Sequence, residues 1–362
     1  MTGKIVIAGA SGIVGRAVVD HFEALGDWDI VGVGRRPPAS HGKHTRSLVA
    51  DLADPRGSAE ALAPIRDATH LVYCALFEKS DLVKGWMEPD QRSVNRDMFV
   101  NFLDALLPNN LKLRHVSLLQ GTKAYGVHLG PTKIPGREIE PRHIHPNFYW
   151  LQEDALRERQ RDSNWRWTIF RPQTVFGFGL GSPMNLLSAI AVYATISRKL
   201  GLPLVFPGMG RKPAAIEATD ARLLARSIAW AGQAPTAENQ TFNVTNGDLV
   251  VWEHLWPDIA AHFHMEVGAR HPMSLAAVMP DKEGVWKDIQ RERGLEPIAY
   301  EGVVGRSWQF ADMVLGVDEP SIVSTIKIRK AGFHDCIDTV DMLNELFRDL
   351  ERRRIIPDPA HI

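Results

Sequence analysis

The first half of the chain alternates short, continuous apolar runs with segments whose apolar residues recur at helical spacing. "KIVIAG" (4–9) is apolar throughout, as expected of a central strand buried on both faces. In "IVGRAVVDHFEAL" (13–25), Ile13, Ala17, Val18, Phe22 and Leu25 share one face, which predicts a helix. Strands follow at "DIVGVG" (29–34) and near "SLVAD" (47–51), then a helix at "PRGSAEALAPI" (55–65). The series continues with strand "HLVYCA" (70–75), a helix over about 90–107, strand "LRHVSLLQ" (113–120), a helix over 147–161 and strand "WTIFRP" (167–172). Strands alternating with helices in this order predict a Rossmann-type, doubly wound parallel sheet in the α/β class.

Beyond Pro172 the alternation loosens. A glycine-rich turn "FGFGLG" (176–181) precedes an apolar helix (183–200), "LPLVFPG" (202–208), strand-like "AIEATD" (215–220) and helix "ARLLARSIAWA" (221–231). Strand "QTFNVT" (240–245) is expected to return to the main sheet. Residues 1–175, rejoined by about 215–248, are therefore expected to form the cofactor-binding domain. Residues 176–214 and 249–362 form a smaller, discontinuous C-terminal substrate lobe. Its aromatic residues Trp252, Trp256, Trp308 and Phe310 either wall a hydrophobic cavity or fill a core, and the helical spacing of Trp252 and Trp256 favours the core.

Composition narrows the function classes. The 362 residues are 44% hydrophobic and 23% charged with a formal net charge of −1, which gives no electrostatic pull toward nucleic acid or an anionic membrane. The basic cluster "ERRR" (351–354) reads as the solvated end of the last helix, where cations suit the dipole. The most apolar stretch, "SPMNLLSAIAVYATI" (182–196), is too short to span a bilayer and reads as a buried helix. A strand begins within a few residues of Met1, so no signal peptide is expected, and the default location is cytoplasmic. Cys74 and Cys336 lack metal-ligand spacing, and Cys74, inside "THLVYCAL", reads as a buried thiol. His143 and His145 in "PRHIHP" have no carboxylate or cysteine set beside them, so they read as surface histidines and no metal site is expected.

The candidate chemistry begins at "GASGIVG" (9–15), where Gly9, Gly12 and Gly15 fall directly between a strand and a helix. Such a turn needs positive φ, close backbone approach and a free helix N-terminus to receive a pyrophosphate. Ser11 and Ile13 belong to the same cradle, and Cys74, Gln120, Pro172 and Val175, at or near later strand ends, are expected to line the cofactor. The usual ribose-binding acid is missing after the second strand; "VGVGRRPP" (31–38) offers Arg35 and Arg36 instead. A guanidinium fork matches a 2′-phosphate, so the expected cofactor is NADP(H), with Arg35 the stronger candidate. The Gly-x-x-Gly-x-x-Gly spacing resembles that of extended short-chain dehydrogenases/reductases, and Asp51-Leu52 resembles the pair that flanks adenine there.

In that superfamily a catalytic Tyr is usually followed four residues later by Lys, and a Ser precedes it in the chain. Here Tyr149 is followed by Glu153, and Gln120 and Gly121 stand at the serine positions. Two segments, "QGTKAYG" (120–126) within "LLQGTKAYGVHLGP" and "NFYWLQED" (147–154), instead resemble the two signatures of the progesterone 5β-reductase/iridoid synthase-like family. "RPQTVFGFGLGSPMN" (171–185), "QTFNVTNGDLVVWEHLW" (240–256) and "STIKIRKAGF" (324–333) are similar as well, while Gln120 and Ala124 depart from the pattern. The resemblance implies reduction of activated C=C bonds in hydrophobic enones or enals, steroid and terpenoid ones included, with Tyr149 and Lys123 as the catalytic pair. It also implies a homodimer. Hydride added at the β-carbon would leave an enolate, stabilised by Tyr149; a nearby ammonium would favour the ionised phenol. Glu153 reads as a surface partner of Arg157, Phe148 and Trp150 as packing residues, and Tyr125 as pocket lining. Carbonyl reduction or sugar-nucleotide epimerisation on the same fold stays open, as does a non-catalytic NADP(H)-sensing regulator.

Overall fold

A computed structural model describes residues 3–36, 42–82 and 84–361. In chain order the strands are β1 (Gly3–Ala8), β2 (Trp28–Gly34), β3 (Thr45–Val49), β4 (His70–Tyr73), β5 (His115–Leu119), β6 (Arg166–Pro172), β7 (Thr174–Phe176), β8 (Ala215–Ile216), β9 (Ala218–Asp220), β10 (Gln240–Val244) and β11 (Val250–Val251). The helices that matter below are α1 (Ile13–Leu25), α2 (Pro55–Leu62), α3 (Pro89–Leu106), α4 (Phe148–Gln160), α5 (Leu186–Lys199), α6 (Ala221–Ala231) and α7 (Trp252–His262).

Seven strands form one sheet in the order β10-β6-β5-β4-β1-β2-β3, and every pair in it is parallel. The apolar run at the N-terminus becomes β1 because both its faces are covered: Ile5, Val6, Ile7 and Ala8 are all buried. Helices α2, α3 and α4 pack in series, and α1 packs with α6. One core cluster joins Val6, Ala8, Val31 and Tyr73 of the sheet to Phe99, Phe102, Leu106 and Leu156 of α3 and α4. β1 lies between β2 and β4, so the chain leaves it in both directions and opens a crevice at the carboxyl ends of β1 and β4. As the alternating pattern predicts, the fold is a doubly wound Rossmann sheet, and Gln240–Val244 returns to it beside β6.

The chain divides into two compact units, Met1–Gln173 with Ala221–Thr245 and Val323–Asp335, and Thr174–Asp220 with Asn246–Ile322 and Cys336–Ile362. The first holds the sheet. In the second, α5 is buried from Leu186 to Ser197, starting later than its apolar run because Asn185 caps it by accepting from the Ser188 amide at 3.0 Å. The strand-like "AIEATD" is two pieces, since β8 pairs antiparallel with β11 while β9 pairs parallel with β7. Trp252, Trp256 and Trp308 are core residues around α5 and α7, and Phe310 packs against that core. Among the described residues no helix is long and apolar enough to cross a membrane.

Candidate active site

The turn after β1 is shaped for close backbone approach. Gly9 has φ +80°, and a Cβ there would stand 2.8 Å from the Ala75 nitrogen and the Cys74 carbonyl carbon. A Cβ on Gly15 would stand 2.2 Å from the Gly9 oxygen, so α1 can pack this near the turn only with glycine at that position. Gly12 is the N-cap of α1, with no side-chain cap and no acid in the first turn. The first-turn amides, beginning at Ile13, therefore point outward without an intrahelical acceptor. An uncapped helix N-terminus behind a glycine turn fits the pyrophosphate of a dinucleotide. Ser11 is exposed beside Gly12, with its Oγ 3.7 Å from where a Gly34 Cβ would lie, so turn and β2 end face one another.

Arg35 and Arg36 follow β2 directly, both exposed, and neither forms an ion pair among the described residues. Asp51 and Leu52 follow β3; Leu52 is buried and its carbonyl accepts from Asn101 Nδ2 at 2.9 Å, while Asp51 is exposed. Cys74 sits at the switch point against Gly9, free and half-buried, its thiol pushed up to about 12 by burial. Val175 belongs to β7 in the second unit.

Tyr149 enters from α4, whose N-cap is Asn147. Asn147 Oδ1 accepts from the Tyr149 amide at 3.0 Å, and Asn147 Nδ2 donates to the Lys123 carbonyl at 3.0 Å. This one side chain ties together the two segments singled out in the sequence. The phenol oxygen lies 3.2 Å from where a Gly121 Cβ would be, so a serine-sized residue there would crowd it. Lys123 lies on a short 3-10 turn, Thr122–Tyr125, and its Nζ sits 3.7 Å from the centre of the Trp86 ring. The edge of Trp86 meets Tyr149 at 5.5 Å between centroids and 72° between planes. Trp86, Ala124, Phe148, Tyr149 and Trp150 form one small buried cluster.

Burial pulls the Lys123 amine down to about 8, against the opposing charge of Glu78. Burial, reinforced by Glu78 and opposed by Arg171, raises the Tyr149 phenol well above its ordinary value. Burial thus outweighs the tilt toward an ionised phenol that a nearby ammonium would give, and Tyr149 is a neutral hydroxyl.

Glu153 is also corrected. It is only 3% exposed, and Arg157, at 3.3 Å, is one of three partners. Arg142 reaches Glu153 Oε2 at 3.1 Å, while the buried Arg171 of β6 donates from Nη2 to Oε1 at 2.9 Å. Arg171 Nε donates to Gln120 Oε1 at 3.1 Å, and Gln120 Nε2 donates to the Tyr149 carbonyl at 3.2 Å. A chain Glu153–Arg171–Gln120 therefore braces the first turn of α4. Tyr125 lies under Arg171 and donates its hydroxyl to Asn243 Oδ1 at 2.6 Å.

His143 and His145 are not free surface side chains. Each is half-buried with its Nδ1 sheltered, and both pack on His128 at 5.7 and 5.6 Å between ring centroids. Trp86 meets the His128 ring and Trp150 meets that of His143, which draws the cluster inward. Among the described residues no group of His, Cys, Asp or Glu is arranged to hold a metal ion.

Local sequence gave no sign of Glu78, Trp86 and Gln91. Trp86 Nε1 donates to Glu78 Oε1 at 3.0 Å, and Gln91 Nε2 donates to Oε2 at 2.8 Å.

The parallel sheet, the glycine turn and a tyrosine at the sheet's carboxyl edge define an extended short-chain dehydrogenase/reductase. A model of the PRISE-like Rossmann-fold domain matches residues 59–305. The chain is 33% identical to (S)-8-oxocitronellyl enol synthase CYC2 of Camptotheca acuminata, covering 97% of this chain and 93% of that protein. It is 35% identical to 3-oxo-Delta(4,5)-steroid 5-beta-reductase of Arabidopsis thaliana, over 91% and 86% of the two chains. The UDP-glucose 4-epimerase of Thermotoga maritima, solved with UDP-glucose, shares the fold at TM-score 0.66 and 14% identity, covering 96% of this chain and 99% of that one. The chain belongs to the PRISE-like family and is an oxidoreductase. The family's cofactor is NADP(H), and the cradle at Gly9, Gly12 and Gly15 fits it.

Proposed function

We propose that the protein reduces the C=C bond of α,β-unsaturated carbonyl compounds, with Tyr149 and Lys123 acting on the carbonyl oxygen. The observation that carries this reading is the shared contact of the two side chains with one indole: Trp86 holds the Lys123 ammonium on its face and Tyr149 at its edge. Both groups come from segments that resemble the family's signatures. The glycine turn would hold NADPH, which would supply hydride for the β-carbon, and a proton from water at the α-carbon would complete the reduction. As charge moves to the carbonyl oxygen, the neutral Tyr149 hydroxyl donates a hydrogen bond to it, and Lys123 adds positive potential. Asn147 fixes the spacing of the two by binding the Tyr149 amide and the Lys123 carbonyl together. The similarity to proteins named as an enol synthase and a steroid reductase supports terpenoid or steroid enones and enals as the substrate class.

Incubating the protein with NADPH and separate enones, saturated ketones and sugar nucleotides, with the products identified by mass and NMR, tests the reading. Turnover is expected with enones; turnover confined to saturated ketones or sugar nucleotides overturns it.

Two further outcomes follow from the same roles. The Lys123 ammonium is present below about 8 and is lost as pH rises through that value, so kcat/KM for an enone falls above about pH 8. Lys123→Met removes this limb along with most of the activity; an unchanged pH profile takes Lys123 out of the mechanism. At the other end of the cofactor, Arg35→Ala removes a charge-assisted contact to the 2′-phosphate, with an expected rise of about tenfold or more in KM for NADPH and little change for NADH. Equal changes for both cofactors would assign the 2′-phosphate elsewhere.

A further inference from the structure

Glu78 lies on the segment that leaves β4, and both its oxygens are engaged. Trp86 Nε1 donates to Oε1 at 3.0 Å and Gln91 Nε2 donates to Oε2 at 2.8 Å. Gln91 is completely buried near the start of α3, and its own Oε1 accepts from the Lys79 amide at 3.3 Å. Trp86 is 4% exposed. A solvated loop carboxylate needs no such fixing; two buried donors on different elements give this one a defined position. The indole that binds Glu78 through its N–H carries Lys123 Nζ on its face, 3.7 Å from the ring centre, and meets Tyr149 along its edge.

We propose that Glu78 is a positioning residue of the reaction site, a fixed counter-charge that keeps Lys123 as an ammonium and Tyr149 as a neutral phenol at once. The consequence rests on the enone-reductase reading, in which both protonated groups face the developing enolate.

The electrostatics agree in sign. A negative charge favours the protonated form of every group near it. Burial lowers the Lys123 amine and Glu78 opposes that shift; burial raises the Tyr149 phenol and Glu78 reinforces it. The other charged groups around the pair do neither job. Arg171 of β6 acts on Tyr149 in the opposite direction. His128, lowered to about 4 by burial and by the charge of Lys123, is neutral at pH 7. His143 binds the Lys123 carbonyl through Nε2 at 3.2 Å, and Lys79 is engaged by Glu88 and Asp90. The pair would otherwise drift toward a neutral amine, which gives no positive potential to an enolate.

The test is a titration of Lys123 itself. Full-length protein labelled with ε-13C lysine is followed by NMR, the Lys123 signal being assigned by its loss in Lys123→Met. The expected midpoint lies near 8 in the unaltered protein. In Glu78→Gln it falls by about one pH unit or more, a tenfold change in the ratio of ammonium to amine. The alkaline limb of kcat/KM moves by the same amount, and KM for NADPH is unchanged. Should Glu78→Gln fail to fold, Gln91→Leu removes one of the donors that fix the carboxylate without removing its charge, and lowers the midpoint by a smaller amount. An unchanged midpoint in the folded variant overturns the proposal. A shifted midpoint in a protein that reduces no enone leaves the counter-charge standing and removes the enone reading instead.

Discussion

Tyr149→Phe is expected to lower kcat for enone reduction by about a hundred- to a thousandfold, the usual cost of removing one oxyanion donor. The substitution deletes only the hydroxyl. The ring keeps its contacts with Trp86 and Phe148, and Asn147 still caps α4 through the backbone amide. The glycine turn is built by other residues, so NADPH binding should be retained. The loss belongs in kcat because the hydrogen bond strengthens as charge reaches the oxygen, and a contact made mainly in the transition state does not appear in KM. Steady-state kinetics with a soluble enone, with NADPH affinity measured by fluorescence, separates these effects. A kcat within a few-fold of the unaltered enzyme would remove Tyr149 from the reaction.

Glu153→Ala is expected to have the largest effect on stability, about 3–5 kcal/mol, because it strands a buried cation. Arg171 is 6% exposed on its side chain and would lose its one carboxylate ion pair among the described residues, keeping Gln120, the rings of Tyr125 and Trp150 and the more distant charge of Glu138. Arg142 and Arg157 are 38% and 50% exposed and return to water at little cost. For a unit of this size the thermal midpoint should fall by roughly 10 °C. Glu153→Gln, which can still accept from Arg171, should lose less. A change below about 1 kcal/mol would place the pair with ordinary surface ion pairs. Because the same network ends on the Tyr149 carbonyl, the variant should also lower kcat below its unfolding temperature.

Much of the fold was legible because its signal is periodic. Continuous apolar runs such as "KIVIAG" and the helical spacing in α1 report burial directly, and the order of elements then constrains the sheet. The proposed pair was legible for a different reason: Lys123 and Tyr149 each lie inside a short segment of distinctive spelling. What escaped reading is tertiary. Helical spacing paired Glu153 with Arg157, which is present, but the stronger partner is Arg171 on a neighbouring strand, eighteen residues along the chain. Nothing in the polar, aperiodic stretch around Trp86 indicates that its indole will cover Lys123 and bind Glu78. The histidines of "PRHIHP" looked exposed because no ligand set surrounds them in sequence, yet their rings pack on His128, and that of His143 on Trp150 as well.

The central claim is that hydride goes to the β-carbon rather than to the carbonyl carbon. NADPH carrying deuterium at the transferred position, incubated with the protein and a hydrophobic enone, gives a product whose label can be located by NMR. Deuterium on the β-carbon of a saturated ketone is the result expected. Deuterium on the carbinol carbon of an allylic alcohol would contradict the account.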